Sequence, residues 1–142
     1  MNEIACYIKK MHNKFEKGRS HALRKFDITS TQMDVLEYLY TCQDSETTLS
    51  DLTAFFEVQH TSMIHVLHIL ESKDLIRRKE ETGIRRKPIL LTAKGLSIMQ
   101  DVANHRAVMD EVMYRGISEK DLAALESLLG RVYTNMKEYD ES

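Results

Sequence analysis

Proline occurs once in this chain, at Pro88, and glycine only five times among 142 residues. So few helix breakers in a leucine- and methionine-rich sequence point to a mainly α fold. The two cysteines, Cys6 and Cys42, are too few for a disulfide framework and lack the paired spacing of a metal site. A reduced, cytoplasmic setting is therefore expected. No apolar run approaches the ~18 residues that span a bilayer, and Lys9, Lys10 and Lys14 interrupt any signal-peptide core. No membrane partner is expected. Gly-x-Ser-x-Gly, His-Glu-x-x-His and a phosphate-binding glycine loop are all missing, so nothing recommends an enzyme, and no cofactor is implied.

Lysine and arginine are also missing from residues 26–72, which hold eight acids. The basic residues collect elsewhere: seven against two acids in residues 1–25, and eight against three in residues 73–94. Residues 95–142 return to an acidic balance, with five bases and nine acids. The formal net charge of −2 hides this segregation. Blocks of alternating sign are what a protein with one basic face would show, although a solvated surface can carry them too. Hydrophobic content of 42% and charged content of 30% suit one soluble globular domain over residues 1–142.

The most informative stretch runs from Val58 to Gly95. Met63, Val66, Leu67 and Leu70 recur at the spacing of a buried helical stripe, while Thr61, His65, His68 and Ser72 gather on the opposite side with Ser62 at its edge. Short hydroxyls and flat imidazoles there are suited to the edges of bases. Two extended runs follow, Leu75 to Lys79 and Arg85 to Leu91, joined by Glu80-Glu81-Thr82-Gly83. This pattern predicts a strand, a turn and a second strand. A polar-faced helix followed by a basic hairpin reads as a winged helix, the helix entering a DNA groove and the hairpin touching the backbone beside it.

Before that stretch, Ile4, Ile8, Met11 and Phe15 form the seam of a first helix from Asn2 to about Lys25. Thr29 and Gln32 have the spacing of a capping box for a second helix to about Cys42, burying Met33, Leu36, Leu39 and Tyr40. A polar loop, Gln43 to Thr47, separates it from a short third helix, Leu49 to Phe56, started by Thr48 and Asp51. Val58 to His60 then turns into the polar-faced helix, completing a helix-turn-helix. After the hairpin, Thr92 caps a long helix to about Tyr114, and Ser118 opens a last helix with Leu122, Leu125, Leu129, Val132 and Met136 in coiled-coil spacing. The expected architecture is mainly α with a small β-hairpin wing. Residues 28–95 would form the winged DNA-binding unit, and residues 1–27 and 96–142 the helices of a dimerisation layer shared by two copies.

These runs resemble the MarR family of bacterial transcription regulators over nearly the whole chain. The resemblance rests on Leu70-Glu71-Ser72-Lys73-Asp74-Leu75-Ile76-Arg77-Arg78, on Gly83-Ile84-Arg85, on Leu91-Thr92-Ala93-Lys94-Gly95, and on Ile117 to Leu122 with Asn135. The family's wing Asp is Gly83 here, its frequent groove-helix Arg is His65, and its usual helix-to-strand Gly is Asp74. The first departure leaves Glu80 or Glu81 to orient Arg85. What the resemblance implies is a homodimeric regulator on a pseudo-palindromic operator, most often a repressor.

The candidate DNA contacts are Gln59, His60, Thr61, Ser62 and His65 in the major groove, Arg85 at the wing tip in a minor groove, and Lys73, one of Arg77 or Arg78, Arg86 and Lys87 on phosphates. Several of these are equally readable as solvated strand residues. His60, His65 and His68 invite a metal reading, but no Cys, Asp or Glu completes a tetrahedral set on that face, so no metal site is expected. The resemblance implies a small aromatic or anionic effector, with His12, Phe15, Tyr38 and Cys42 as candidate pocket residues. It also offers an alternative, a thiol-based peroxide sensor acting through Cys6, against which stands a packing role for that residue. A winged-helix module that binds protein rather than DNA is a further alternative.

Overall fold

The computed structural model describes residues 2–79 and 87–141, which form six helices and one antiparallel pair of strands. Helix α1 (Glu3–Phe26) starts where Asn2 Oδ1 accepts from the Ile4 amide at 2.8 Å. It stops at Asp27, whose left-handed φ of 53° turns the chain. Helix α2 (Ser30–Thr41) begins with the capping box that the sequence predicts, Thr29 with Gln32, and α3 (Leu49–Phe56) starts where expected, with Thr48 and Asp51 also forming a complete box. Helix α4 (His60–Ser72), strands β1 (Ile76–Arg78) and β2 (Ile89–Leu91), α5 (Ala93–Met113) and α6 (Glu119–Glu141) complete the order. Thr92 and Ser118 cap as expected, accepting from the Gly95 and Asp121 amides at 3.0 and 3.1 Å.

The strands pair Ile76 with Leu91, Arg77 with Leu90 and Arg78 with Ile89. Over the described residues they are shorter than the two extended runs of the sequence, and the expected turn, Glu80 to Gly83, lies outside those residues. Main-chain bonds prolong the ladder, from Lys79 N to Pro88 O (2.8 Å) and from Thr92 N to Leu75 O (3.1 Å). Thr47 departs from the expected polar loop: it is buried, and its carbonyl accepts from Ile89 N at 2.8 Å, adding one bridge to the sheet. Pairing of a single residue leaves no period in the sequence to read. Tyr40 is half-buried rather than buried, whereas Val35 is fully enclosed, because the inward arc of α2 is centred nearer Val35 and Leu36 than the expected stripe.

The chain divides into two compact units, residues 1–103 and 104–142. The first holds the whole core: Ile28, Met33, Val35, Leu36, Leu39, Leu52, Met63, Leu67, Leu70, Leu75, Ile76, Ile89 and Met99. Arg19 fixes α1 to α2 by donating to Ser30 O (2.9 Å) and Asp34 Oδ1 (2.6 Å), and Lys25 reaches Asp101 at 3.0 Å. The second unit contains the end of α5, a turn with Gly116 at φ 79°, and α6. None of its described residues is buried. Among the described residues, no helix is long and apolar enough to cross a membrane.

Candidate nucleic-acid interface

Helix α4 is anchored by Met63, Leu67 and Leu70, each no more than 2% exposed, with Val66 half-buried beside them. It packs on α3, β1 and α2. The outward side consists of Thr61, His65, His68 and Ser72, all exposed, as are Gln59, His60 and Ser62 at the first turn. Gln59 is extended (φ −73°, ψ 152°) and gives α4 no side-chain cap. Helices α2 and α3 have their leading amides satisfied by Thr hydroxyls; α4 leaves its leading amides to whatever acceptor approaches.

The other end of α4 is tied down. Lys73, expected on a phosphate, turns its ammonium inward, donating to Asp27 O at 2.6 Å and to Gln32 Oε1 at 3.1 Å. Gln32 is buried, and the same oxygen also accepts from Thr29 N at 3.2 Å. Asp74 takes the left-handed turn (φ 59°) that glycine would take without strain, and its carbonyl accepts from Thr92 Oγ1 at 2.6 Å. Lys94 Nζ donates to Lys73 O at 3.1 Å. Gly95 completes the joint, since a Cβ there would overlap the Leu75 carbonyl.

On the hairpin, Arg77 and Lys87 are exposed. Arg78 alternates inward and is half-buried, with Nε 2.9 Å from Glu71 Oε1. That contact brings opposite charges together without the alignment of a hydrogen bond. Arg85 and Arg86, with the Glu80 and Glu81 that the sequence offers to orient Arg85, lie outside the described residues.

Of the four candidate pocket residues, α2 brings Tyr38 and Cys42 together, one turn apart. Burial, then the neighbouring Cys42 and Asp51, push the Tyr38 phenol above its ordinary range. Its ring stacks obliquely on Phe55 and Phe56, at centroid distances of 4.8 and 6.0 Å. His12 and Phe15 are exposed on α1, and no bond or ring contact among the described residues joins them to Tyr38 or Cys42. Cys42 instead lines a shallow cleft of about 170 Å³ with Leu39, Gln43, Thr47, Arg77 and Leu96. Cys6 is half-buried on α1.

The tertiary links were the part that sequence reasoning missed. Arg19 and Asp34, or Lys73 and Gln32, are too far apart in the chain for any periodicity to couple them.

No family model matches the sequence. Over 119 residues the chain is 29% identical to the HTH-type transcriptional regulator MhqR of Bacillus subtilis (strain 168), spanning 82% of this chain and 80% of that protein. The MepR–DNA complex of S. aureus superposes with a TM-score of 0.73 at 23% identity, over 93% of this chain and 98% of MepR. The transcription regulator MarR from Oenococcus oeni PSU-1 gives 0.68 at 23% identity, over 92% and 98% of the two chains.

Proposed function

We propose that this chain, which has the winged helix-turn-helix fold of the MarR-type regulators, is a DNA-binding transcriptional regulator rather than an enzyme, and that it acts as a homodimer on a pseudo-palindromic operator. The observation that carries this reading is α4: a helix rigidly seated on its apolar side, presenting Thr61, Ser62, His65 and uncapped amides on the other. Such a surface offers donors and acceptors to base edges and free N–H groups to a phosphate. The basic hairpin beside it supplies the charge that α4 lacks, through Arg77 and Lys87 and, from the sequence, Arg85 and Arg86. Lys73 serves to hold α4 in place. A MepR chain of the same fold has been solved on DNA.

Residues 28–95 form the DNA-binding unit in this reading, and the helices of residues 1–27 and 96–142 pair two copies. The apolar seam of α1 supports that pairing: Ile4, Ile8, Met11 and Phe15 are 40 to 63% exposed. In the paired state the two α4 helices enter successive major grooves about 10 base pairs apart. Repression, with release by a small effector, is the regulatory sense we favour for such a protein.

Selection of bound duplexes from a random pool tests the reading. A twofold-symmetric consensus is expected; recovery of no duplex, with retained binding to a protein partner, would replace it with an interaction module. Arg85→Ala is expected to weaken binding to every duplex and to lower the salt slope by about one unit. An unaltered slope in a salt titration removes Arg85 from the interface.

A further inference from the structure

Helix α4 carries no lysine or arginine between His60 and Ser72. The groups on its exposed side that can become cationic are three imidazoles, His60, His65 and His68. Among the described residues none of the three makes a hydrogen bond or an ion pair. The acids on the elements packed against α4 are engaged elsewhere: Asp51 of α3 with Thr48, and Asp34 and Glu37 of α2 with Arg19. Tyr38 and Tyr40 are the other titratable groups of α2, with the Tyr38 phenol in the Phe55–Phe56 cluster. On β1, Arg78 faces Glu71, the one acid of α4, while Arg77 is exposed. Lys73 at the end of α4 is turned inward. Glu57, exposed three residues before His60, is the acid that stands nearest to the start of α4 in the sequence. The weight therefore falls on His65 and His68, which are three residues apart and share the outward face.

We propose that protonation of His65 and His68 is coupled to DNA binding through α4, so that the protein grips a duplex more tightly as pH falls through the neutral range. The proposal rests on the DNA-binding reading above and adds a regulation to that site. A neutral imidazole offers one donor and one acceptor, whereas the protonated ring offers two donors and a charge. Imidazoles ordinarily titrate near pH 6.5, and the negative potential of a duplex at close range favours the charged form. A complex that holds these protons more firmly must take them up on binding. Linkage then makes affinity rise as pH falls, with a slope equal to the number of protons taken up. Arginines on the same face would bind phosphate equally well throughout this range.

The test is fluorescence anisotropy of a duplex recovered by the selection above, titrated at fixed ionic strength between about pH 5.5 and 8. Each imidazole whose proton affinity rises tenfold in the complex contributes up to about tenfold in Kd, and a dimer presents two copies of each. Wild type is expected to tighten at least about tenfold from pH 7.5 to 5.5. The double variant H65Q/H68Q is expected to lose at least half of that slope, whatever its affinity at alkaline pH. H105Q, on a different helix, is expected to keep it. The single variants H65Q and H68Q each remove a share, which preserves the test if the double variant fails to fold. Wild-type affinity that is flat with pH, or a slope that survives in H65Q/H68Q, overturns the proposal while leaving DNA binding intact. Failure to bind any duplex at any pH overturns the functional reading as well.

Discussion

The two units of the chain solve the same problem in different ways. Residues 1–103 bury thirteen apolar side chains in one core. Residues 104–142 bury none among those described, although their sequence is just as regular in its apolar spacing. Leu125, Leu128, Leu129, Val132, Tyr133 and Met136 of α6 are 43 to 67% exposed. A helix of this kind gains little from its own propensity and needs an apolar surface to pack against. The difference teaches that a hydrophobic repeat establishes a stripe, while the identity of what covers it is a separate question. In the first unit the cover is internal. The start of α1 is the exception there, and for it and for α6 the reading proposed above makes the cover a second copy.

The sharpest way to break this contrast is Leu129→Asp in α6. If a second copy covers the stripe, the dimer dissociates and binding to a selected duplex falls about a hundredfold or more, through loss of the linked half-site. Light scattering that shows an unchanged mass would end the pairing assignment. Leu36→Ala, at 0% exposure in the first unit, is expected to cost about 2–5 kcal/mol of unfolding free energy. Denaturant melts would read this as a lower midpoint with the same slope. Gly95→Ala forces a methyl against the Leu75 carbonyl and is expected to cost about 1–3 kcal/mol. The same substitution at Gly18 or Gly130, where a Cβ meets nothing within 4 Å, should leave the melt within about 1 kcal/mol of wild type or raise it. The smallest effect concerns Tyr38. Its folded-state pKa is raised, so its contribution is fully present below the usual phenol value of about 10 and is lost as pH rises beyond it. Tyr38→Phe should flatten that alkaline decline in a thermal-melt series; an identical decline would assign it to other groups.

Helix identity and helix starts were legible because both are local. Thr29 with Gln32 and Thr48 with Asp51 sit three residues apart, and each pair marks the helix start it predicts. The two faces of α4 were legible for the same reason, since a 3.6-residue period sorts Met63 and Leu67 from Thr61 and His65. Strand ends were not, because a three-residue ladder is fixed by partners such as Thr47 that lie far away in the chain. Charge proved the least legible feature. A lysine beside a basic hairpin reads as a phosphate contact, yet burying the Gln32 carbonyl and ending α1 at Asp27 left two acceptors that Lys73 satisfies. Within β1, the alternation of strand side chains separates exposed Arg77 from inward Arg78, a distinction that composition alone blurs.

The Lys73 ammonium meets the last turn of α1 through Asp27 and the first turn of α2 through Gln32, while its own backbone closes α4. Three helix ends thus share one flexible side chain as their fastener. The bond from Lys73 to Asp27 O is 2.6 Å long, so the end of α1 and the end of α4 are held in direct contact. The seat of the helix that displays His65 is thus fastened at one end to a part of the chain far from it in sequence.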